Sequence, residues 1–413
     1  MATTFVDSRG QEQPVLFGHP AGLFILFFTE MWERFSYYGM RALLVLYLIS
    51  EISEGGLGWS DGEASSLYGW YTMLVYITPI VGGIIADKFW GFRKAIMVGA
   101  ILMTAGHLAL AFEPLPAFFL GLGLLIVGNG FFKPNISSIV GQLYPEGHPK
   151  KDGGYTIFYQ GINVGAFLGT LLCGYLGESA DFGWHWGFGA AGVFMFVGLI
   201  QFWIAQKMFG VIGLSKKKEA EYIAANPDKS FSPVAVGDTS VSEDVLDDGK
   251  EAVADDAIPT VSKKKVERQR LIVVGILAFF SIFFWAAFEQ AGSSMNIVAD
   301  RYTDRDLTGD GAGTFKVIAT ILQLLPIVIL TILFIGLIIK LGAKYLWSLV
   351  CMFVSVAILW SIMGYIIYDQ FMDTEPTVPA SWFQSLNALF IFTLAPIFSK
   401  IWTSLAKSRI NPN

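Results

Sequence analysis

The chain has 413 residues, of which 54% are hydrophobic and only 15% charged, with a formal net charge of −6 and a mean hydropathy of +0.55. Soluble globular domains carry about 25% charged residues, so the composition excludes that class and indicates a polytopic membrane protein. The acidic excess sits in loops and one linker, and nothing in it suggests a nucleic-acid partner.

A bilayer-spanning helix needs about 20 mostly apolar residues, and ten such spans are expected: 22–49, 65–86, 94–113, 117–144, 154–178, 185–209, 270–299, 315–340, 344–369 and 380–406. The segment before Gly22 is polar, with no cleavable signal evident, so the first span serves as its own insertion signal. That span is the most informative part of the chain. It carries Glu30, Glu33, Arg34 and Arg41 interleaved with Tyr37 and Tyr38. At about 100° per residue these six positions fall within one arc. A charge at the bilayer centre costs roughly 2.5–3.5 kcal/mol on insertion scales. Four on one helix are tolerable when they pair and line a watered cavity enclosed by protein, so the stripe is a functional site by default.

Between the second and third spans, Gly83, Asp87, Lys88, Gly91 and Arg93 suit a tight turn whose charges pair with neighbouring helix ends, a structural and gating element. Tyr76 lies at depth in the second span, and His107 in the third reads as a packed core histidine. Lys133 sits in the fourth span within Gly128-Asn-Gly130-Phe-Phe-Lys133-Pro134-Asn135. A lysine snorkelling to the headgroups is the bland alternative, but about 15 residues precede it in the span, which favours a functional role. Pro134 removes a helix hydrogen bond and the glycines allow close approach, so this span is expected to be bent or tightly packed. In the fifth span Tyr159 and Asn163, and in the last Asn387, can bond either a substrate or a neighbouring helix. Cys173 and Cys351 both lie in apolar spans and read as core residues, not a disulfide or metal pair.

The linker from Ser215 to Arg268 divides the spans into six and four, its middle, Asp238 to Asp256, being acidic and reading as disordered. Loops 50–64, 114–116, 179–184 and 370–379 contain no Lys or Arg, whereas the alternate connections, the linker and the tail do. The positive-inside rule therefore places both ends and the linker in the cytoplasm. Only loop 300–314, with Arg301 and Arg305, breaks the pattern. In the seventh span Glu289 lies one turn after Trp285, and an interfacial aromatic with a snorkelling acid is its alternative reading. Glu30, Glu33 and Glu289 balance Arg34, Arg41 and Lys133. One cavity lined by all six would be neutral and could accept a zwitterion, and protonating one Glu would free a cation for a carboxylate. Spans 315–340 and 344–369 read as a peripheral hairpin inserted in the second bundle, and the ending at 409–413 reads as a loop. No Walker loop, zinc-ligand cluster or serine elbow is present, which speaks against ATP-driven pumping and hydrolysis.

Glu30-Met-Trp-Glu33-Arg34-Phe-Ser-Tyr37-Tyr38-Gly39 resembles the E-x-x-E-R-F-x-Y-Y-G motif of proton-dependent oligopeptide transporters in the major facilitator superfamily. The Gly83–Lys94 loop resembles the superfamily's cytoplasmic motif, and Phe158–Gly165 the family's helix-five motif. Gly128–Asn135, Trp285–Gln290 and Pro379–Asn387 are similar to further family segments. The resemblance implies an all-α helical bundle of the major-facilitator type in the cytoplasmic (inner, plasma) membrane, with the second lobe incomplete. Its lobes would be residues 1–209 and 270–413, joined by a cytoplasmic linker at 210–269, with the inserted hairpin at about 315–369. It implies a non-enzymatic symporter of di- and tripeptides that needs no cofactor or metal and uses protons as coupling ion. Arg41 and Lys133 would bind the peptide carboxylate, Tyr37, Tyr38 and Tyr76 its backbone, Asn163 and Asn387 its amino end and peptide groups, with Tyr159 beside them. Glu30, Glu33 and Arg34 would form the coupling network with Lys133, Glu289 would serve protonation and the gate, and Trp285 a side-chain pocket. Other substrates such as nitrate or a peptide-like drug, or a peptide-binding protein that does not transport, are the alternatives.

Overall fold

The computed structural model describes residues 4–112, 114–227 and 263–407. The acidic stretch 238–256 and the ending 409–413 lie outside the described residues. Six long helices form the first bundle: α1 (Ala21–Ile49), α2 (Asp61–Ile85), α3 (Phe92–Leu110), α4 (Leu115–Gln142), α5 (Lys151–Glu178) and α6 (Trp184–Ala205). A short α7 (Lys216–Ala224) follows, then α8 (Lys263–Phe288), α9 (Ser294–Arg301), α10 (Gly309–Leu341), α11 (Leu346–Met372) and α12 (Ser385–Lys407). Nine helical stretches among the described residues are long and apolar enough to cross a membrane. The first span, α1, is 29 residues long and carries the four ionisable groups on top of that number.

Every residue of α1 except Tyr38 is buried, so the helix is enclosed on all sides and not only along its charged stripe. Glycine makes this possible. Gly161, Gly165 and Gly169 recur every fourth residue on α5, and a Cβ there would collide with Phe27, the Met31 carbonyl and the Phe35 carbonyl of α1. Backbone approaches backbone, the small-x3-small packing of membrane helices. On the other side Trp32 stacks on Phe194 of α6 at 5.0 Å. The α2–α4 contact uses the same device. Pro134 cannot donate to the Gly130 carbonyl on its own helix, and that carbonyl is the atom a Cβ at Gly82 would strike. The tight packing expected around Pro134 is therefore present, with Gly82 and not Gly83 at the closest approach.

The second half differs from the expectation in two places. The span 270–299 is not one helix: α8 ends at Phe288, a 3-10 turn covers Glu289–Gly292, and α9 begins at Ser294. Gly292 lies against the Tyr68 hydroxyl of α2, where no side chain fits, and the chain turns to pass it. The last span likewise opens with a 3-10 turn, Ala380–Gln384, whose leading amides from Ala380 and Ser381 donate to the Glu178 carboxylate at 2.7 and 3.0 Å. A carboxylate satisfies orphan amides at a helix start. The α10–α11 hairpin packs on the first bundle, with α11 against α6 and Gly336 of α10 against Leu16. By contrast α8 is exposed from Leu271 to Trp285 and meets the first bundle at its Glu289 end. Cys173 and Cys351 are both free thiols.

Arg301 and Arg305, which break the charge asymmetry of the loops, both have local carboxylate partners. Arg301 pairs with Asp61 at 2.8 Å and Arg305 with Asp300 at 3.0 Å.

The polar N-terminal segment folds into a small antiparallel sheet, β1 (Thr4–Val6), β2 (Glu12–Leu16) and β3 (His19–Pro20), which periodicity in so short a stretch does not announce. It is pinned by Ser8 to the Gln142 carbonyl, by His19 Nδ1 to the Tyr144 hydroxyl at 2.8 Å, and by Lys150 to the Gly18 carbonyl at 3.1 Å. Burial holds the His19 and His148 imidazoles below the usual histidine range. The neutral form is thus the folded form, so this contribution to stability is full above the ordinary histidine pKa and is lost as pH falls through it. Asp7, pushed up by burial, acts in the opposite direction and at lower pH. The protection of the 4–20 amides against hydrogen exchange, taken relative to the intrinsic rate at each pH, is expected to fall between pH 7.5 and 5.5, and combining His19→Gln with His148→Gln should remove most of that dependence.

Candidate functional site

Two turns of α1 separate Arg34 from Arg41, about 10 Å along the axis, and each arginine has its own carboxylate. Arg34 Nε lies 2.9 Å from Glu30 Oε1, the i to i+4 pair, and it also contacts Glu33 Oε2. Asn129 of α4 donates to Glu33 Oε1 at 3.3 Å, and the guanidinium sits 5.5 Å from the Tyr37 ring. Glu30, Glu33 and Arg34 are 2%, 0% and 3% exposed, so this is a charge triad removed from bulk water. Its bonding is incomplete: Glu30 Oε2 and Arg34 Nη2 have no hydrogen-bond partner among the described residues. Breaking one side of such a buried group costs about 3–5 kcal/mol because a charge is left alone.

The second cluster joins the two halves of the chain. Arg41 Nη2 pairs with Glu289 Oε2 at 2.8 Å. Arg41 Nε donates to the Tyr68 hydroxyl at 2.6 Å, and that hydroxyl donates to Glu289 Oε2 at 3.3 Å. Tyr76 donates to Glu289 Oε1 at 3.1 Å, and the Tyr38 and Tyr68 rings each lie 5.7 Å from the guanidinium. The turn at Glu289–Gly292 is what brings the carboxylate to this place. Nearby, Asn296 of α9 donates to the Ala42 carbonyl at 2.9 Å, fastening α9 to α1. Lys133 belongs to neither cluster. Its ammonium lies 4.7 Å over the Tyr76 ring, with no carboxylate within ion-pair distance among the described residues.

A cavity of about 590 Å³ opens beside the second cluster, walled by Tyr68, Thr72, Tyr76, Trp285, Glu289 and Gln290 among others. The Trp285 ring stands 6.3 Å from that of Tyr76. Of the residues marked in the sequence, Tyr76, Trp285 and Glu289 line it, Arg41 and Lys133 touch its walls, and Tyr38 lies against Arg41. Tyr37 is buried edge-on against Tyr38 at 5.2 Å. Tyr159 is exposed, Asn163 donates to the Tyr159 carbonyl on its own helix at 2.9 Å, and Asn387 is exposed on α12; none of the three lines this cavity. The charges therefore form two ion-paired groups, with Lys133 outside either ion pair, because seven residues of helix hold the arginines too far apart to share a carboxylate.

The turn around Gly91 is also wired differently from expectation. Gly91 has φ +74°, and a Cβ there would meet the Ser215 amide nitrogen. Arg93 is buried and donates to the Gly210 carbonyl at 2.7 Å, while Asp87 is exposed and makes no ion pair among the described residues. The turn holds the end of α6 through a backbone carbonyl. His107 is buried, as a core histidine should be.

Tyr68 and Asn129 were not singled out by the sequence, yet a signal existed. Tyr68 lies eight residues before Tyr76 on α2, and Asn129 four before Lys133 on α4, so each shares a helix face with a marked residue. Tyr68→Phe leaves the buried Arg41 short of an acceptor and should cost about 1–3 kcal/mol, read as a lower thermal midpoint in detergent. An unchanged midpoint would mean that Glu289 alone holds Arg41.

The family model described as the POT family matches residues 93–354. The chain is 31% identical to a peptide transporter of Yersinia enterocolitica, covering 96% of this chain and 70% of that protein. It is 30% identical to a di-/tripeptide transporter of Lactococcus lactis, covering 97% and 72%. A solved peptide transporter of the same kind, a point mutant in complex with alafosfalin, is 33% identical with a TM-score of 0.55, covering 96% of this chain and 70% of the other.

Proposed function

This chain belongs to the POT family, one of transporters and not enzymes, and on that premise we propose that it carries di- and tripeptides across the cytoplasmic membrane together with protons. Its fold is the helical bundle of the major-facilitator type, with α1–α6 as one bundle and α8–α12 belonging to the other. Under this reading residues 1–209 are the first lobe, 210–269 a cytoplasmic linker, and 270–413 contribute to the second lobe with a hairpin inserted at about 315–369. The observation that carries the proposal is the Arg41–Tyr68–Glu289 bridge. It ties α1 and α2 to the turn after α8 at the end bearing the α1–α2 connection, which is where an alternating-access carrier would close.

The loop charges make the closed end the extracellular one, with both chain ends and the linker in the cytoplasm. Arg41 and Lys133 take the peptide carboxylate, with Tyr37, Tyr38 and Tyr76 along the backbone and Trp285 beside a side chain. Asn163 and Asn387, with Tyr159 beside them, serve the amino end when the lobes close around it. Protonating Glu289 removes the charge that holds Arg41, which opens the bridge and exposes the cation to the incoming carboxylate. Glu30 and Glu33 do the same for Arg34, and their proton is the coupling ion. Gly83, Asp87 and Arg93 belong to the cytoplasmic gate.

Glu33→Gln should abolish uptake driven by a pH gradient in proteoliposomes while leaving peptide exchange measurable, since an amide cannot cycle its charge against Arg34. Unchanged concentrative uptake would show that this acid is structural.

The carboxylate assignment is tested separately. Charge-assisted hydrogen bonds are worth about 1.5–3 kcal/mol each, so Arg41→Ala should weaken a dipeptide by roughly 10–150-fold. A dipeptide amidated at its C-terminus should lose much less. Equal losses for both ligands, measured by calorimetry, would leave Arg41 as a brace between lobes and move the carboxylate to Lys133.

A further inference from the structure

A second cavity of about 590 Å³ lies at the same end of the molecule and shares no lining residue with the Trp285 cavity. It sits where α5, the α9–α10 connection, α11 and the approach to α12 meet. Five carboxylates line it, from Glu54, Glu178, Asp300, Asp369 and Asp373, against the single guanidinium of Arg305. Some of these have work already. Both Glu178 oxygens accept backbone amides at 2.7 and 3.0 Å, Asp300 pairs with Arg305 at 3.0 Å, and Asp373 Oδ1 accepts the Glu375 amide at 3.0 Å. Lys316, close by, is taken up by the Asp373 carbonyl. Asp369 receives one hydroxyl, that of Tyr175, through Oδ2.

The adjoining residue provides an independent sign of an occupant. Gln370 lines the cavity and is 7% exposed, yet both its Oε1 and its Nε2 lack a hydrogen-bond partner among the described residues. A buried amide with neither half satisfied is costly unless something binds it. Trp184 and Trp382 line the same cavity, and aromatic walls suit an organic cation. Among the described residues no three acidic, histidine or cysteine side chains converge as metal ligands would. Dispersed carboxylates, an amide oxygen and aromatic walls match a larger, softer cation.

We propose that this cavity is a binding site for an organic ammonium or guanidinium group, with Asp369 and the Gln370 carbonyl receiving its N–H donors and Trp184 and Trp382 flanking it. A free amine and the α-ammonium of a peptide share that chemistry.

The purified protein in detergent would be titrated calorimetrically with n-butylammonium and with n-butanol as its neutral counterpart. Saturable binding of the ammonium alone is expected, weakened about tenfold or more by Asp369→Asn and by Gln370→Leu, each of which removes an acceptor. Gln370→Leu also deletes an unsatisfied buried amide, so the unliganded thermal midpoint should hold or rise while amine affinity falls, which separates binding from folding if Asp369→Asn proves unstable. Displacement of n-butylammonium by alanyl-alanine but not by its N-acetyl derivative would identify the peptide amine as the source, and no displacement by either would identify a free amine; both outcomes support the site. No saturable binding, equal binding of n-butanol, or an unchanged affinity in Gln370→Leu would overturn it. The readout is binding and not uptake, so it stands apart from the transport assays.

Discussion

A guanidinium cannot be left alone in hydrocarbon, and the two on α1 set the conditions that the rest of the molecule meets. Arg34 finds Glu30 and Glu33 on its own helix, ion pairs made without help from the second half of the chain. Arg41 has no acid within a turn on its own helix and takes Glu289 from beyond the linker. One arginine is satisfied within a lobe and the other only between lobes. That difference separates a fixed charge network from one whose existence depends on conformation.

The fixed part is fixed by glycine. Backbone contact along Gly161, Gly165 and Gly169 leaves α1 no freedom to tilt from α5, and the Gly82–Gly130 approach locks α2 to α4 in the same way. Side chains carried by such helices are held to within the tolerance of backbone packing, which suits Asn129, Tyr68 and Tyr76 as aligned donors. Opposite this frame, α8 presents apolar side chains with little packed against them. Burial is concentrated in the first bundle.

Much of this was written in the residue order. Charges at helical spacing in an apolar run identified the stripe, and Lys133 declared itself by depth alone. The hairpin and the span count came from hydrophobic length. What escaped has physical reasons. The break at Glu289–Gly292 lies within a stretch whose Glu289, Gln290, Gly292, Ser293 and Ser294 read as part of one span, and a tyrosine hydroxyl on another helix fills the space at Gly292. The N-terminal sheet is made of strands of two to five residues held by contacts to α4 and α5. Tyr68 was passed over because a tyrosine in a membrane helix is ordinary until an arginine is found beside it. Which acid pairs with which arginine was not legible, because the arginines share a face but not a height. Arg301 and Arg305 remain exceptions to the loop asymmetry, and both are paired with carboxylates in the fold.

The interruption between α8 and α9 has a mechanical consequence. With α9 fastened to α1 by Asn296 and to α2 by the Arg301–Asp61 pair, one side of the turn is anchored. On the other side the 26 residues of α8 form a lever about 39 Å long at 1.5 Å per residue. Rotating such an arm by about ten degrees at the turn would carry its far tip through about 7 Å. The fulcrum of that arm lies at the arginine bridge itself, so the position of Glu289 and the direction of α8 are set by the same turn.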